Sequence, residues 1–177
     1  MSKLRLATVW LDGCSGCHMS MLDMDERWLE LADLVDLVYG PFVDSKQYPD
    51  NVDVVLVEGA VSSEEDLQRI LRVRKQTRIL ASLGDCAVTA NVPSLRNQFP
   101  LQQIEDRAYL ENADLNQQVP RREVPPLFEK SRPVHEFVKV DLFIPGCPPS
   151  ADTIYYAVSE LIAGRMPDVT EMTRFGA

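Results

Sequence analysis

Asp53-Val54-Val55-Leu56-Val57 is the stretch of this 177-residue chain on which the fold turns. Four successive apolar residues, three of them β-branched, leave no polar face for solvent. The segment therefore reads as a strand covered on both sides, as a central parallel strand is. Working outward, Leu4-Arg5-Leu6-Ala7-Thr8-Val9-Trp10-Leu11 reads as a first strand and Leu34 to Tyr39 as a second, closed by Gly40-Pro41. Arg78-Ile79-Leu80-Ala81-Ser82-Leu83 reads as a fourth strand and Phe137 to Ile144 as a fifth. Between them, Met21, Met24, Trp28 and Leu31 recur at helical spacing and predict one helix after the first strand. Ser62 and Ser63 followed by Glu65 and Asp66 predict a capped helix running to about Lys75. Pro148, Pro149 and Ser150 open a last helix that stops at Gly164. Strands separated by helices imply βαβ units and a parallel sheet covered on both faces. Five in this order predict an α/β, flavodoxin-like doubly wound sheet in one domain over residues 1–177, with its ligand site at the carboxyl ends of the strands.

Composition narrows the partners. Eighteen Lys and Arg against 27 Asp and Glu leave a net charge of −9, which repels a phosphate backbone and excludes nucleic acid as a ligand. No apolar run approaches the roughly 20 residues needed to span a bilayer. Met1-Ser2-Lys3-Leu4-Arg5 leads into only a short apolar run before Asp12, so no signal peptide or twin-arginine leader is read and a cytoplasmic protein is expected. In that compartment four cysteines read as metal ligands or redox groups ahead of disulfides. One segment breaks the βα rhythm. Residues 97–136 are polar, carry Pro100, Pro120, Pro125, Pro126 and Pro133, and show no strand signal. A connection of that length is usually functional or disordered; the preferred reading is an irregular interface excursion held by a partner protein.

The cysteines are Cys14, Cys17, Cys86 and Cys147, and each follows the carboxyl end of a predicted strand. Neighbouring parallel strands would bring all four thiols to one rim. Four thiolates suit a tetrahedral zinc or a [4Fe–4S] cluster. Structural zinc usually takes two close pairs, whereas here one pair is followed by single cysteines after 68 and 60 intervening residues. That spacing suits a cluster lodged between loops of a folded domain. Gly13 and Gly16 bracket the first pair, Gly84 precedes Asp85-Cys86, and Gly146 precedes Cys147. Bare backbone can approach an inorganic core closely there, and its amides can hydrogen-bond the sulfurs. Pro148 after Cys147 echoes the Cys-Pro ending of ferredoxin cluster runs. Three other readings compete. Cys14-Ser15-Gly16-Cys17-His18 has the form of a haem attachment site, which normally needs export. A thioredoxin-like pair would leave Cys86 and Cys147 unexplained. Buried cysteines acting as small hydrophobes would not call for glycine flanks.

The same segments carry a resemblance. Trp10-Leu11-Asp12-Gly13-Cys14-Ser15-Gly16-Cys17-His18 resembles the opening of the small subunit of nickel–iron hydrogenases. Val57-Glu58-Gly59-Ala60-Val61, Gly84-Asp85-Cys86-Ala87 and Pro145-Gly146-Cys147-Pro148-Pro149-Ser150 resemble its later motifs in order. The superfamily also includes the cluster-bearing subunit of respiratory complex I, whose first two cysteines are adjacent; here Ser15 and Gly16 separate them. The sequence Cys86-Ala87-Val88-Thr89-Ala90-Asn91 and the stretch Pro133-Val134-His135-Glu136 look like the soluble, bidirectional NAD-reducing group. The resemblance implies that Cys14, Cys17, Cys86 and Cys147 bind one [4Fe–4S] cluster. It implies a large subunit with the nickel–iron centre, and diaphorase subunits with FMN, NAD and further clusters. The runner-up is a complex I-like iron–sulfur subunit of a membrane-bound oxidoreductase without nickel.

The remaining chemistry-bearing residues are few. His18 and His135 are the only histidines. His18 could hydrogen-bond a cluster sulfur or a partner, with a packed surface position as the competing reading. Glu58 would face the site or the large subunit, unless it is simply capped or solvated. Asp85 is expected to accept hydrogen bonds from loop amides, and the Met21, Met24 and Trp28 stripe to pack in the core or at a subunit interface. No side chain is arranged for acid–base work on a substrate, so no catalytic residue is assigned.

Overall fold

The computed structural model of the protein describes residues 3–173; Met1 and Ser2, part of the leader reading, lie outside them. Five strands form one sheet: β1 (Leu4–Trp10), β2 (Val35–Tyr39), β3 (Val52–Glu58), β5 (Thr77–Leu83) and β7 (Leu142–Ile144). All pair in parallel, in the order β2-β1-β3-β5-β7, which is the doubly wound order expected. Alternation along the central strands sorts side chains to two faces. Leu6, Val54, Leu56, Ala81 and Leu83 pack with Met21, Met24, Leu31, Ile144, Ile154, Ala157 and Leu161. Ala7, Val9, Val55, Val57 and Leu80 pack on the other face with Ile70, Val73, Val134 and Val138. Each large aliphatic side chain so buried contributes about 1.5–3 kcal/mol. The Met21, Met24 and Trp28 stripe is accordingly core, and the Trp28 indole donates to Met21 O at 2.9 Å.

Helices α1 (Gly16–Leu22), α2 (Arg27–Ala32), α3 (Glu64–Gln76), α4 (Asp85–Thr89), α5 (Leu101–Asp106) and α6 (Ala151–Ile162) complete the main elements. Ser63 and Ser150 cap α3 and α6, their hydroxyls accepting from Asp66 N and Thr153 N. Three expectations need correction. The single helix after β1 is two, because Asp25 takes a left-handed φ of 47° between them. The fifth strand covers only Leu142–Ile144; residues 134–136 form a 3-10 turn. The 97–136 excursion is not free of strands. It carries α5, a wide helical turn at Arg107–Glu111, and β6 (Leu127–Arg132), which pairs antiparallel with β4 (Val61–Ser63) as a small second sheet. Among the described residues no helix is long and apolar enough to cross a membrane.

Asp141 explains the late start of β7. Its Oδ2 accepts from Leu80 N at 3.0 Å and from Arg74 Nη1 at 2.6 Å, while its own amide donates to Leu80 O. Burial works against ionisation, but the Leu80 amide and then the Arg74 and Lys139 cations outweigh it and hold the carboxyl below its usual value. A carboxyl depressed in the folded state adds stability that is complete above the unfolded value of about 3.9 and is lost as pH falls through the folded one. Asp141→Asn is expected to lower unfolding free energy by about 1–3 kcal/mol near neutral pH and by less as pH drops under about 4. Urea unfolding across pH reads this; an equal loss at neutral and acid pH would show that the charge plays no part.

Candidate metal centre

Parallel strands end at a common rim, and their carboxyl-end loops must pair their own backbone groups. Here they pair with one another. Leu11 N donates to Glu58 O at 2.8 Å, and Asp12 and Ala60 exchange both backbone hydrogen bonds. On the other side Gly84 N donates to Ile144 O at 2.8 Å and Asp85 N to Gly146 O at 2.9 Å. Asp85 Oδ1 accepts from Gly146 N at 2.7 Å, the loop-amide role expected of it. Ser20 on α1 donates to Pro149 O at 2.5 Å and draws the first loop to the last. These links bring Cys14, Cys17, Cys86 and Cys147 together. Cys17 is buried, Cys86 is partly buried, and Cys14 and Cys147 are exposed.

The thiols influence one another electrostatically. Burial, then the charge of Glu58, then Cys86, Cys14 and Cys147 push the Cys17 thiol far above its ordinary range. Burial also raises Cys86; a hydrogen bond with the Val92 backbone opposes it, and Cys14, Cys147 and Glu58 add smaller upward pushes. Cys17 and Cys86 therefore ionise reluctantly by themselves, because burial first and the neighbouring charges second penalise their thiolates. A positively charged core removes that penalty and displaces the protons. Among the described residues no three His, Cys, Asp or Glu side chains are set to close on a single metal ion. A zinc ion would need its thiolates at about 2.3 Å from one point, whereas an iron–sulfur core offers separate irons to separate cysteines. Four cysteines on three loops are a donor set that an iron–sulfur core can use.

The four glycines divide into two roles. Gly16 N donates to Cys14 Sγ at 3.4 Å. Gly84, at φ +81°, leaves the volume that Cys17 Sγ occupies, and a Cβ there would overlap the sulfur. At Gly13 a Cβ would press on Gly59 Cα at 3.2 Å, and at Gly146 it would meet Pro149 at 2.6 Å. Those two positions let loop backbones touch each other.

His18 and Glu58 correct the surface reading. Both are buried, at 3% and 1% exposure. Glu58 Oε2 accepts from His18 N at 3.0 Å and forms a short contact with His18 Nδ1. His18 Nε2 is buried with no hydrogen-bond partner, and the ring stands edge-on to Phe42 with centroids 5.6 Å apart. Forty residues separate the pair in sequence, so no local signal announced it. Glu58 at a strand end was its one trace.

Residues 14–161 match the family described as NADH ubiquinone oxidoreductase, 20 Kd subunit. The chain belongs to that family. Within it, the NAD-reducing hydrogenase HoxS subunit delta of Cupriavidus necator is 41% identical over 172 residues, covering 94% of this chain and 82% of that protein. A component of the F420-non-reducing hydrogenase vhu of Methanocaldococcus jannaschii is 36% identical over 166 residues, 93% of this chain but 58% of that longer protein. A chain in the crystal structure of an NAD+-reducing [NiFe]-hydrogenase in the H2-reduced state superposes with a TM-score of 0.94 at 36% identity. That superposition covers 98% of this chain and 99% of the other. A [NiFeSe]-hydrogenase structure from Dm. baculatum, 18% identical with a TM-score of 0.62 and covered over 70% of its chain, shares the fold.

Gly84 and Gly164 provide a paired test. Both have positive φ, but nothing lies within 4 Å of a Cβ at Gly164. Gly164→Ala is expected to cost about 1 kcal/mol in urea unfolding, and Gly84→Ala about 3 kcal/mol, since it adds overlap with Cys17 to the backbone strain. Equal costs would mean that Cys17 yields without resistance.

Proposed function

We propose that this chain is the electron-transfer small subunit of a nickel–iron hydrogenase that reduces NAD. In this reading Cys14, Cys17, Cys86 and Cys147 hold one [4Fe–4S] cluster between the nickel–iron centre of a large subunit and a diaphorase module with FMN and further clusters. The single observation carrying it is the end-to-end superposition on a chain of an NAD+-reducing hydrogenase, read together with four mutually interacting thiols at one rim. A bound cluster of this kind supplies a one-electron carrier. The protein's own residues supply its setting. Gly16 offers an amide to a sulfur, Gly84 clears the space of Cys17, and Gly13 and Gly146 let the ligand loops meet. Glu58 and His18 anchor the amino end of α1, where Cys17 sits. In this reading the complex works in the cytoplasm.

The test is metal content of the native complex, purified without oxygen through a tag on this chain. Iron in large excess with stoichiometric nickel, and hydrogen-dependent NAD reduction, are expected. Iron without nickel would move the chain to a complex I-like role, and zinc in place of iron would end the redox reading. In the same preparation Cys86→Ala should lose the iron assigned to this chain; full iron content and electron transfer in that variant would overturn the ligand assignment.

The 97–136 excursion is proposed as a partner interface. It exposes Phe99, Tyr109, Leu115, Val124 and Leu127, apolar side chains that a partner's surface would cover. Protease should cut it more slowly in the complex than in the free subunit. Equal cleavage would remove the interface role.

A further inference from the structure

Beyond the cysteines, one set of buried polar groups has a direction built into it. The Ser62 and Ser131 hydroxyl oxygens lie 2.7 Å apart, and each residue is only 2% exposed. Ser62 Oγ donates to Asp12 Oδ2 in a short hydrogen bond. Arg96 Nε donates to Ser131 Oγ at 3.1 Å. A guanidinium can only donate, a carboxylate can only accept, and each hydroxyl has one proton. The order is therefore forced: Arg96 donates to Ser131, Ser131 to Ser62, and Ser62 to Asp12.

Both ends of this chain are anchored. Arg96 also donates to Phe128 O at 2.9 Å, Glu129 O at 3.3 Å and Ser62 O at 3.4 Å. Next to it Asn97 holds Ser131 in both directions, accepting from its amide and donating to its carbonyl at 2.8 Å each. At the other end Asp12 is fixed through its backbone to Ala60, and the Trp10 indole donates to Gly13 O at 3.2 Å. Cys14 follows directly.

We propose that Arg96, Ser131 and Ser62 are positioning residues that brace Asp12, and through it the Cys14 loop, against the β4–β6 ribbon. The ribbon lies outside the main sheet and carries no proposed ligand, so its contribution to the site is this brace. The inference rests on the reading of Cys14 as a cluster ligand, which gives the loop its task. Chains of hydrogen bonds that end on opposite charges strengthen cooperatively, so Arg96 and Asp12 are coupled although no contact joins their side chains.

Hydrogen exchange at the Gly13–Cys17 amides, measured in the intact complex, tests this with Asp12→Ala, Arg96→Met and the double variant. Exchange at the β3 amides serves as the folding control. Arg96→Met is expected to speed exchange in the Cys14 loop about tenfold with β3 unchanged. Adding it to Asp12→Ala should then bring less than about a threefold further change, because the chain is already broken. Multiplicative effects, or no effect of Arg96→Met on the loop, would overturn the brace. Where a variant loosens β3 as well, Ser131→Ala in its place must show the same selective loosening, and its failure to do so would also overturn the brace. Iron retention against a chelator, read on the same samples, should follow the exchange pattern. Coupled exchange in a complex whose wild-type form holds no iron would instead leave the brace standing and remove the cluster reading.

Discussion

Glu58 is the constraint around which the rim is arranged. A carboxylate that is almost wholly buried must find hydrogen bonds or lose its charge, and Glu58 finds its partner in His18, by amide and ring. That requirement sets where α1 begins and turns Cys17 inward beside Gly84. Gly13 sits close behind it, where a Cβ would press on Gly59 Cα at 3.2 Å. The first cysteine loop is therefore shaped from the strand behind it. Its charge also adds to the resistance of Cys17 and Cys86 to ionising.

The two flanks of the rim are built differently. On the β5–β7 side one residue, Asp85, ties the Cys86 and Cys147 loops together by backbone and side chain at once. On the β1–β3 side the backbone exchange between Asp12 and Ala60 is continued by hydroxyls into the second sheet. The first device is local to neighbouring strands. The second reaches a ribbon formed by the chain's longest departure from the βα rhythm, which gives that departure a structural task in addition to any contact with a partner.

Much of this was legible in sequence because it follows from period and position. An unbroken apolar run marked β3 as a central strand, and glycines beside cysteines at strand ends marked the rim. The misses share a cause, which is pairing between distant residues. Leu127–Arg132 has only two apolar residues and extends because β4, three residues long, pairs with it. The run before Leu142 read as strand on composition, yet Val134 and Val138 are used to cap one face of the sheet, and Asp141 fixes where pairing starts. The break between α1 and α2 depends on one residue, Asp25, taking a left-handed turn within a pattern whose helical spacing continues across it. His18 carried no sign of burial because its partner is forty residues away.

The spread of the four cysteines over the chain has a consequence for biogenesis. A contiguous cysteine motif can capture metal while the polypeptide is still emerging. Here Cys147 follows β7, the edge strand, which is held through its pairing with β5, so the proposed centre draws on the last βα unit as well as the first. A chain cut before its final βα unit would therefore offer three of these thiols and no complete proposed site.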